Sequence, residues 1–397
     1  MTRPFLTLPL HSKVASRVWA LVIAGLIAAS TQAQNLPGAG SLSADARMTP
    51  IRFNDISGWQ ADSLEGFWPA FVSNCQVMRQ RAAPWARVCR EAESVNPKEA
   101  SAIRQFIELR FTPFELSDTK GTRSATITGY YEPLLKGSRT REGPYQIPLY
   151  RTPKDLINVD LSSVYPEIKA LRLRGRLEGG RVVPYPTRAE IERRSLLAGQ
   201  ELLWVDDPVE AFFLQVQGSG RVQLANGESI RVGYAEQNGY PYQSIGRYLI
   251  NKGELKPNEA SMQGIKAWVA ANPNRRDELL HQNPSVVFFK EITNLNSALG
   301  PLGSMGLPLT PGRSLAVDPR FVPQGNLVFM NTRVPNVGAP PRDPGVPFQR
   351  LMIAQDTGSA ILGAHRSDIF FGTGPTAGEV AGRMRAEGRL VVLLPNQ

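Results

Sequence analysis

The chain is poor in the groups that most metal and redox chemistry needs: its 397 residues hold 2 cysteines and 3 histidines. His11, His281 and His365 lie far apart, and no His/Cys cluster has metal-ligand spacing. No metal or other cofactor is expected. Cys75 and Cys89 sit in helix-like sequence with Pro84 between them. They either bridge, as an oxidising compartment permits, or stay buried as free thiols, and neither alternative makes them catalytic. The longest apolar run, Val18–Ala29, is 12 residues, against the roughly 20 that span a bilayer. No repeat of fixed period is evident, and no basic stripe is interleaved with aromatics, so nucleic acid is not expected as a partner.

Glycine and proline, by contrast, are plentiful: 35 and 32. They imply many turns, hence a β-rich fold rather than a helical bundle. An apolar fraction of 42% with 20% charged residues describes an ordinary globular protein, and the length suits two or three domains. Arg3, Lys13 and Arg17, the run Val18–Ala29 and then Ser30-Thr31-Gln32-Ala33 read as a secretory leader cleaved after Ala33. An exported protein of the periplasm or cell envelope is therefore expected. Its loss takes the formal charge from +10 to +7. A basic exported protein suits an anionic partner such as wall polymer or a lipid surface, or is simply soluble.

Along the chain, residues 63–111 carry apolar side chains at helical spacing, with Asn96-Pro97 as a helix start. Strand-like sequence follows from Thr122 to about Phe289, including FFLQVQG, read as a strand, and a hairpin at Asn226-Gly227. Helical patterns interrupt at Arg188–Leu197, Tyr242–Lys252 and Pro257–Ala271. Short strands resume after Leu299, residues 333–347 read as a solvated loop, and Thr376–Glu387 reads as a last helix before the strand RLVVLL. The first zone can pack on the third with the middle one inserted. That would leave a cleft between two β bodies, a common place for ligands.

The stretch Ala354–Gly374 holds two isolated carboxylates, Asp356 and Asp368, in apolar, glycine-rich surroundings, and Asp318 lies upstream in LAVDPRFVPQG. Each is either a turn residue bonding its own backbone or a carboxylate held in a site. A wider set of strings runs in one order from Gly129 to Gly374: GYYEP, YPTRAEIE, QVQGSG, NGYPYQSIGRYLI, NPSVVFFK, LAVDPRFVPQG, AQDTGSAILG and DIFFGTG. By this ordered set the chain resembles the membrane-bound lytic murein transglycosylase A family, with its C-terminal 3D domain. The resemblance implies a mainly β fold with α: a double-psi β-barrel from residues 34–126 and 291–397, a smaller β-domain inserted at 127–290, and a large groove between them. It also implies a peptidoglycan lytic exotransglycosylase, a carbon–oxygen lyase. Such an enzyme cleaves the β-1,4 bond between N-acetylmuramic acid and N-acetylglucosamine and leaves 1,6-anhydromuramoyl ends. The residues alone do not decide whether strands are cut from ends or within, or whether naked or peptide-bearing glycan is preferred. The family's lipid-attachment cysteine is missing here, which leaves outer-membrane association open.

The family's catalytic acid matches Asp368, with Asp356 and Asp318 near it. Desolvation by Ile369, Phe370 and Phe371, and a nearby carboxylate, would raise the pKa of Asp368 so that it starts protonated. Asp356 is the candidate neighbour, or else an ionised stabiliser of the oxocarbenium-like state; Asp318 is either catalytic or a turn-holding residue. Gly129, Gly218 and Gly220 would allow close backbone approach. Tyr130 and Tyr131 would stack on sugar rings, or pack in the core. Gln217 and Ser219 would bond acetamido groups, or belong to a β-turn at QGSG. Lys290 would meet a lactyl or peptide carboxylate, or be an exposed strand-end lysine. Glu132, before a proline, reads as solvated. Peptidoglycan strands are the expected partner of a monomer, with proteins of the wall machinery as possible others. Two rival functions are a non-catalytic, expansin-like wall-binding protein and a wall hydrolase releasing reducing ends.

Overall fold

The computed structural model describes residues 46–397 except 169, 170, 172, 258, 294 and 339–342; the expected leader lies outside the described residues. Six strands close into a barrel. In order around it run Ala125–Glu132, Arg366–Thr373, Ser314–Val317, Val346–Asp356, Leu327–Val334 and Arg385–Pro395, which returns to pair with Ala125–Glu132. Two of the pairings are parallel, Arg366–Thr373 with Ala125–Glu132 and Ser314–Val317 with Val346–Asp356. Phe111–Asp118 and Ala46–Pro50 extend the sheet beyond Arg385–Pro395.

Ser314–Val317 and residues 327–330, 351–354 and 390–393 are buried on both faces, which is why they read as continuous runs with little polar interruption. In Leu327–Val334, Val328 and Met330 point inward with Ile127, Leu315, Met352 and Ile369. Leu327 and Phe329 point outward onto Phe71, Trp85 and Phe106 of three helices. Those helices, Phe67–Met78, Ala83–Ala92 and Ala100–Arg110, occupy the expected helical zone. The third starts later than Asn96-Pro97 suggests, because Asn96 Oδ1 accepts from Lys98 N–H and makes a turn instead. Cys75 and Cys89 form a disulfide across the first two helices, with Cα atoms 5.6 Å apart. Buried Asp62 binds Arg313 through two hydrogen bonds of 2.7 and 2.8 Å and takes the Leu351 N–H at 2.7 Å, fastening the N-terminal segment to the barrel.

The second body is a six-stranded sheet in the order Val287–Glu291, Ser229–Gln237, Ser219–Leu224, Leu134–Ser138, Glu201–Val205 and Ile147–Tyr150. Its core holds Leu135, Leu203, Val222, Val232 and Phe289. Ser219–Leu224 and Ser229–Gln237 form the expected hairpin, with Gly227 at φ +88°. The chain crosses into this body at Pro133. The expected boundary at 126/127 falls inside the barrel strand Ala125–Glu132.

Four local readings are corrected. FFLQVQG is not a strand but the end of the helix Pro208–Gln217. Asp207 caps its start by accepting from the Val209 and Glu210 N–H groups, and Gly218 ends it in the left-handed region at φ +79°. QGSG is therefore a helix end running into a strand, not a β-turn. The last helix stops at Arg383, because Arg385–Gly388 pair with Ala125–Thr128 to close the barrel. Glu132 is not solvated: it is fully buried, its carboxylate taking Arg221 Nε at 2.8 Å and the Thr373 hydroxyl at 2.7 Å, with Arg231 Nε 3.0 Å away.

Candidate active site

A cleft of about 730 Å3 runs between the barrel and the inserted sheet, and both line it. Strand register builds its barrel wall. Ala316 pairs with Asp356 on one side and with Asp368 on the other, and Asp368 pairs with Thr128. Four neighbouring strands thus present Asp356, Ala316, Asp368 and Thr128 in one row. The small side chain of Ala316 leaves the space between the two carboxylates open. Two strand spacings put their Cα atoms roughly 9–10 Å apart.

The two acids have different surroundings. Asp368 accepts the Thr128 hydroxyl at 2.6 Å on Oδ1. Burial pushes its carboxyl up to about 6, against the Thr128 hydrogen bond and the Arg366 guanidinium, and Asp356 pushes it further up. Asp356 is held at both oxygens. Oδ1 takes the Ser304 and Thr357 N–H groups at 2.8 and 2.9 Å, and Oδ2 takes the Tyr130 hydroxyl at 3.0 Å. Burial raises its pKa as well, while those donors oppose the rise. Tyr130 lies two residues beyond Thr128 on the same strand face, its ring 5.3 Å from Phe370 and its hydroxyl kept protonated by burial.

The remaining expected residues divide between the groove and its support. Gly129, Gln217, Gly218, Ser219 and Lys290 line the cleft with Tyr130. A Cβ on Gly129 would lie 2.4 Å from the Phe371 ring, so this glycine is required by packing beneath the site. Gln217 receives the Tyr131 N–H on Oε1 at 3.0 Å. Tyr131 itself is buried against the last helix, with its hydroxyl on the Met262 sulfur, and is not among the groove-lining residues. Gly220 does not line the cleft either; its Cα side faces Leu214 and Pro133. Asp318 lies outside the cleft lining. It is buried, ion-paired to Arg320 at 2.6 Å, and accepts the Gly363 N–H at 2.7 Å, so it holds the loop that joins Asp356 to Asp368. Burial alone would raise its pKa, but the Arg320 contacts and the Gly363 N–H together outweigh that and leave it lowered.

Sequence reasoning passed over Thr128, Ala316, Ser304 and Arg366. The available signal was two-residue periodicity, which puts Thr128 on the face of Tyr130 and Arg366 on the face of Asp368. Among the described residues no group of three or more His, Cys, Asp or Glu is placed to hold a metal ion.

The MltA specific insert domain matches residues 126–290, and the 3D domain matches residues 313–394. The chain is 35% identical over 352 residues to the membrane-bound lytic murein transglycosylase A of Escherichia coli K12, covering 88% of this chain and 84% of that one. A solved lytic transglycosylase, LtgG of Burkholderia pseudomallei, is 44% identical at a TM-score of 0.60, over 90% of this chain and all of that one. The E. coli MltA structure with bound chitohexaose is 26% identical at a TM-score of 0.66, over 90% of this chain and 94% of that one.

Proposed function

The chain belongs to the membrane-bound lytic murein transglycosylase A family, and from that premise we propose that its groove performs lytic transglycosylation with one aspartate, Asp368. The protein is a peptidoglycan lytic transglycosylase and peptidoglycan is its substrate. What remains is how this groove does it.

Protonated Asp368 gives its proton to the glycosidic oxygen as the bond from that oxygen to C1 of the muramoyl residue breaks. The resulting carboxylate then takes the proton of the same residue's C6 hydroxyl as that oxygen bonds to C1. Asp368 ends as it began, no water enters, and the product is the 1,6-anhydro ring. The tethered hydroxyl needs no activated water, since an intramolecular nucleophile has a high effective concentration. The observation that carries this assignment is the pairing of a carboxyl pushed up to about 6 with a second carboxylate across Ala316.

Asp356 serves as electrostatic support for the oxocarbenium-like state. Its oxygens already accept two N–H groups and the Tyr130 hydroxyl, which leaves little room for them to hold and orient an attacking water. A retaining hydrolase needs carboxylates about 5–5.5 Å apart and an inverting one about 6.5–9.5 Å with a carboxylate that holds the attacking water; the bonds already made by Asp356 oppose that second role. Asp318 holds the loop between the two acids. Tyr130, Gln217, Ser219 and Lys290 contact the glycan, Lys290 through an acidic group on the muramoyl arm. A binding protein without catalysis would have no use for a buried Asp368 whose carboxyl is pushed up to about 6.

Export by the N-terminal leader would bring the enzyme to the wall. Relatives are named membrane-bound, while no helix among the described residues is long and apolar enough to cross a membrane. One chain supplies both walls of the cleft, which supports action as a monomer. The test is mass spectrometry of sacculi digested by the parent and by Asp368→Ala. Anhydromuropeptides from the parent alone are expected; reducing-end products, or anhydro products from both proteins, would contradict the assignment.

A further inference from the structure

The direction of the hydrogen bonds around the ionised Asp368 carboxylate is forced by chemistry. Thr128 Oγ1 lies 2.8 Å from Arg366 Nη1 and 2.6 Å from Asp368 Oδ1. A guanidinium has donors only, and a threonine hydroxyl has one proton. Thr128 therefore accepts from Arg366, and its own proton points at Asp368 Oδ1. With the carboxyl ionised Oδ1 must be the acceptor, and Thr128 keeps that donor role on protonation when the added proton sits on Oδ2. Oδ2 has no hydrogen-bond partner among the described residues, and the carboxyl lines the groove.

We propose that Thr128, oriented by Arg366, assigns the transferable proton of Asp368 to Oδ2 and so acts as the positioning residue for both halves of the reaction. This rests on the reading of Asp368 as acid and base. The same oxygen, Oδ2, then gives the proton to the glycosidic oxygen and takes one back from the C6 hydroxyl, without the carboxyl rotating between the steps. A free carboxylic acid could carry its proton on either oxygen, and half of such states would point the proton away from the sugar. The parallel register of Ala125–Glu132 with Arg366–Thr373 is what places Thr128 opposite Asp368, with Arg366 two pairs along, opposite Thr126, and so on the same face.

The titratable and charged groups that face Asp368 are Arg366 on its own strand, the neutral Tyr130 hydroxyl on the neighbouring strand and Asp356 across Ala316; Arg385 of the closing strand acts on Arg366. Of these, none replaces the Thr128 donor. Its loss removes a hydrogen bond that favours the ionised carboxyl, so Asp368 would hold its proton to higher pH.

The test is the initial release of soluble muropeptides against pH, at limiting sacculi, by the full chain and its variants. The alkaline limb, where the acid loses its proton, should move up by roughly one pH unit in Thr128→Val and stay in place in Thr128→Ser. A limb that is unmoved or moves down in Thr128→Val would overturn the proposal. So would a limb shifted equally in Thr128→Ser, which would indicate a packing effect. If Thr128→Val is too slow to profile, the 13C carboxyl titration of Asp368 reads the same quantity: a higher midpoint supports the proposal and an equal or lower one contradicts it. Asp368→Ala is run beside them. If it stays active, the acid/base reading itself fails; if it is inactive while the limb ignores Thr128, only the relay fails.

Discussion

At the scale of single residues, the site depends on two aspartates with unlike surroundings. Asp368 with its carboxyl at about 6 must be protonated to act, so turnover should fall as pH rises through about 6, as an initial-rate profile would reveal. Asp368→Asn should lower activity by about 10²–10⁴-fold, the usual range for a general acid. Asp356→Asn should cost about a hundred-fold through lost electrostatic support. It should also move the alkaline limb down, because a like charge that holds the Asp368 proton in place has gone. An unmoved limb in Asp356→Asn would separate the two carboxylates electrostatically. Both aspartates were visible in the sequence as isolated acids among apolar residues. Thr128 was not, because its importance lies in a parallel pairing with a strand 240 positions away. No local pattern encodes that register.

At the scale of elements, the helical zone was legible from its clear apolar period, and the barrel strands after Leu299 from short apolar runs bounded by glycine and proline. FFLQVQG failed for a physical reason: it is short and apolar enough to suit either period, and only Asp207-Pro208 before it and Gly218 after it mark the helix. The last helix was read too long because tertiary pairing, not propensity, ends it at Arg383. The disulfide closes a 14-residue separation between the first two helices, and for a loop of about that length the chain-entropy model gives about 3 kcal/mol. Replacing Cys75 and Cys89 together by alanine should lower the urea midpoint accordingly while leaving the products of digestion unchanged, since the bridge is packed in the core formed with the helices and does not line the cleft. Unchanged stability would mean that packing of Phe71, Trp85 and Phe106 alone fixes the helices.

At the scale of the whole molecule, buried charges join parts that are distant in sequence. Asp62 and Arg313 connect the N-terminal segment to the barrel, and Glu132 with Arg221 and Arg231 connects the barrel to the inserted sheet. Burial would raise the Asp62 pKa, but Arg313 and the backbone donors leave it lowered. Its contribution is therefore present above the ordinary carboxylate pKa of about 3.9 and lost as pH falls below it. Arg313→Met should cost about 3–5 kcal/mol by stranding that carboxylate, and denaturation followed from pH 7 to 3 should show the deficit shrinking. A deficit that is constant with pH would assign it to packing instead. The two-body arrangement was readable from the order of helical and β zones. The crossing point was not, because GYYE completes the barrel before Pro133 turns the chain away. The central claim, a single acid working without water, is tested most directly by digesting sacculi in 18O-water and weighing the products. The account predicts anhydromuramoyl ends that carry no 18O. Reducing ends that carry one 18O atom each would contradict it.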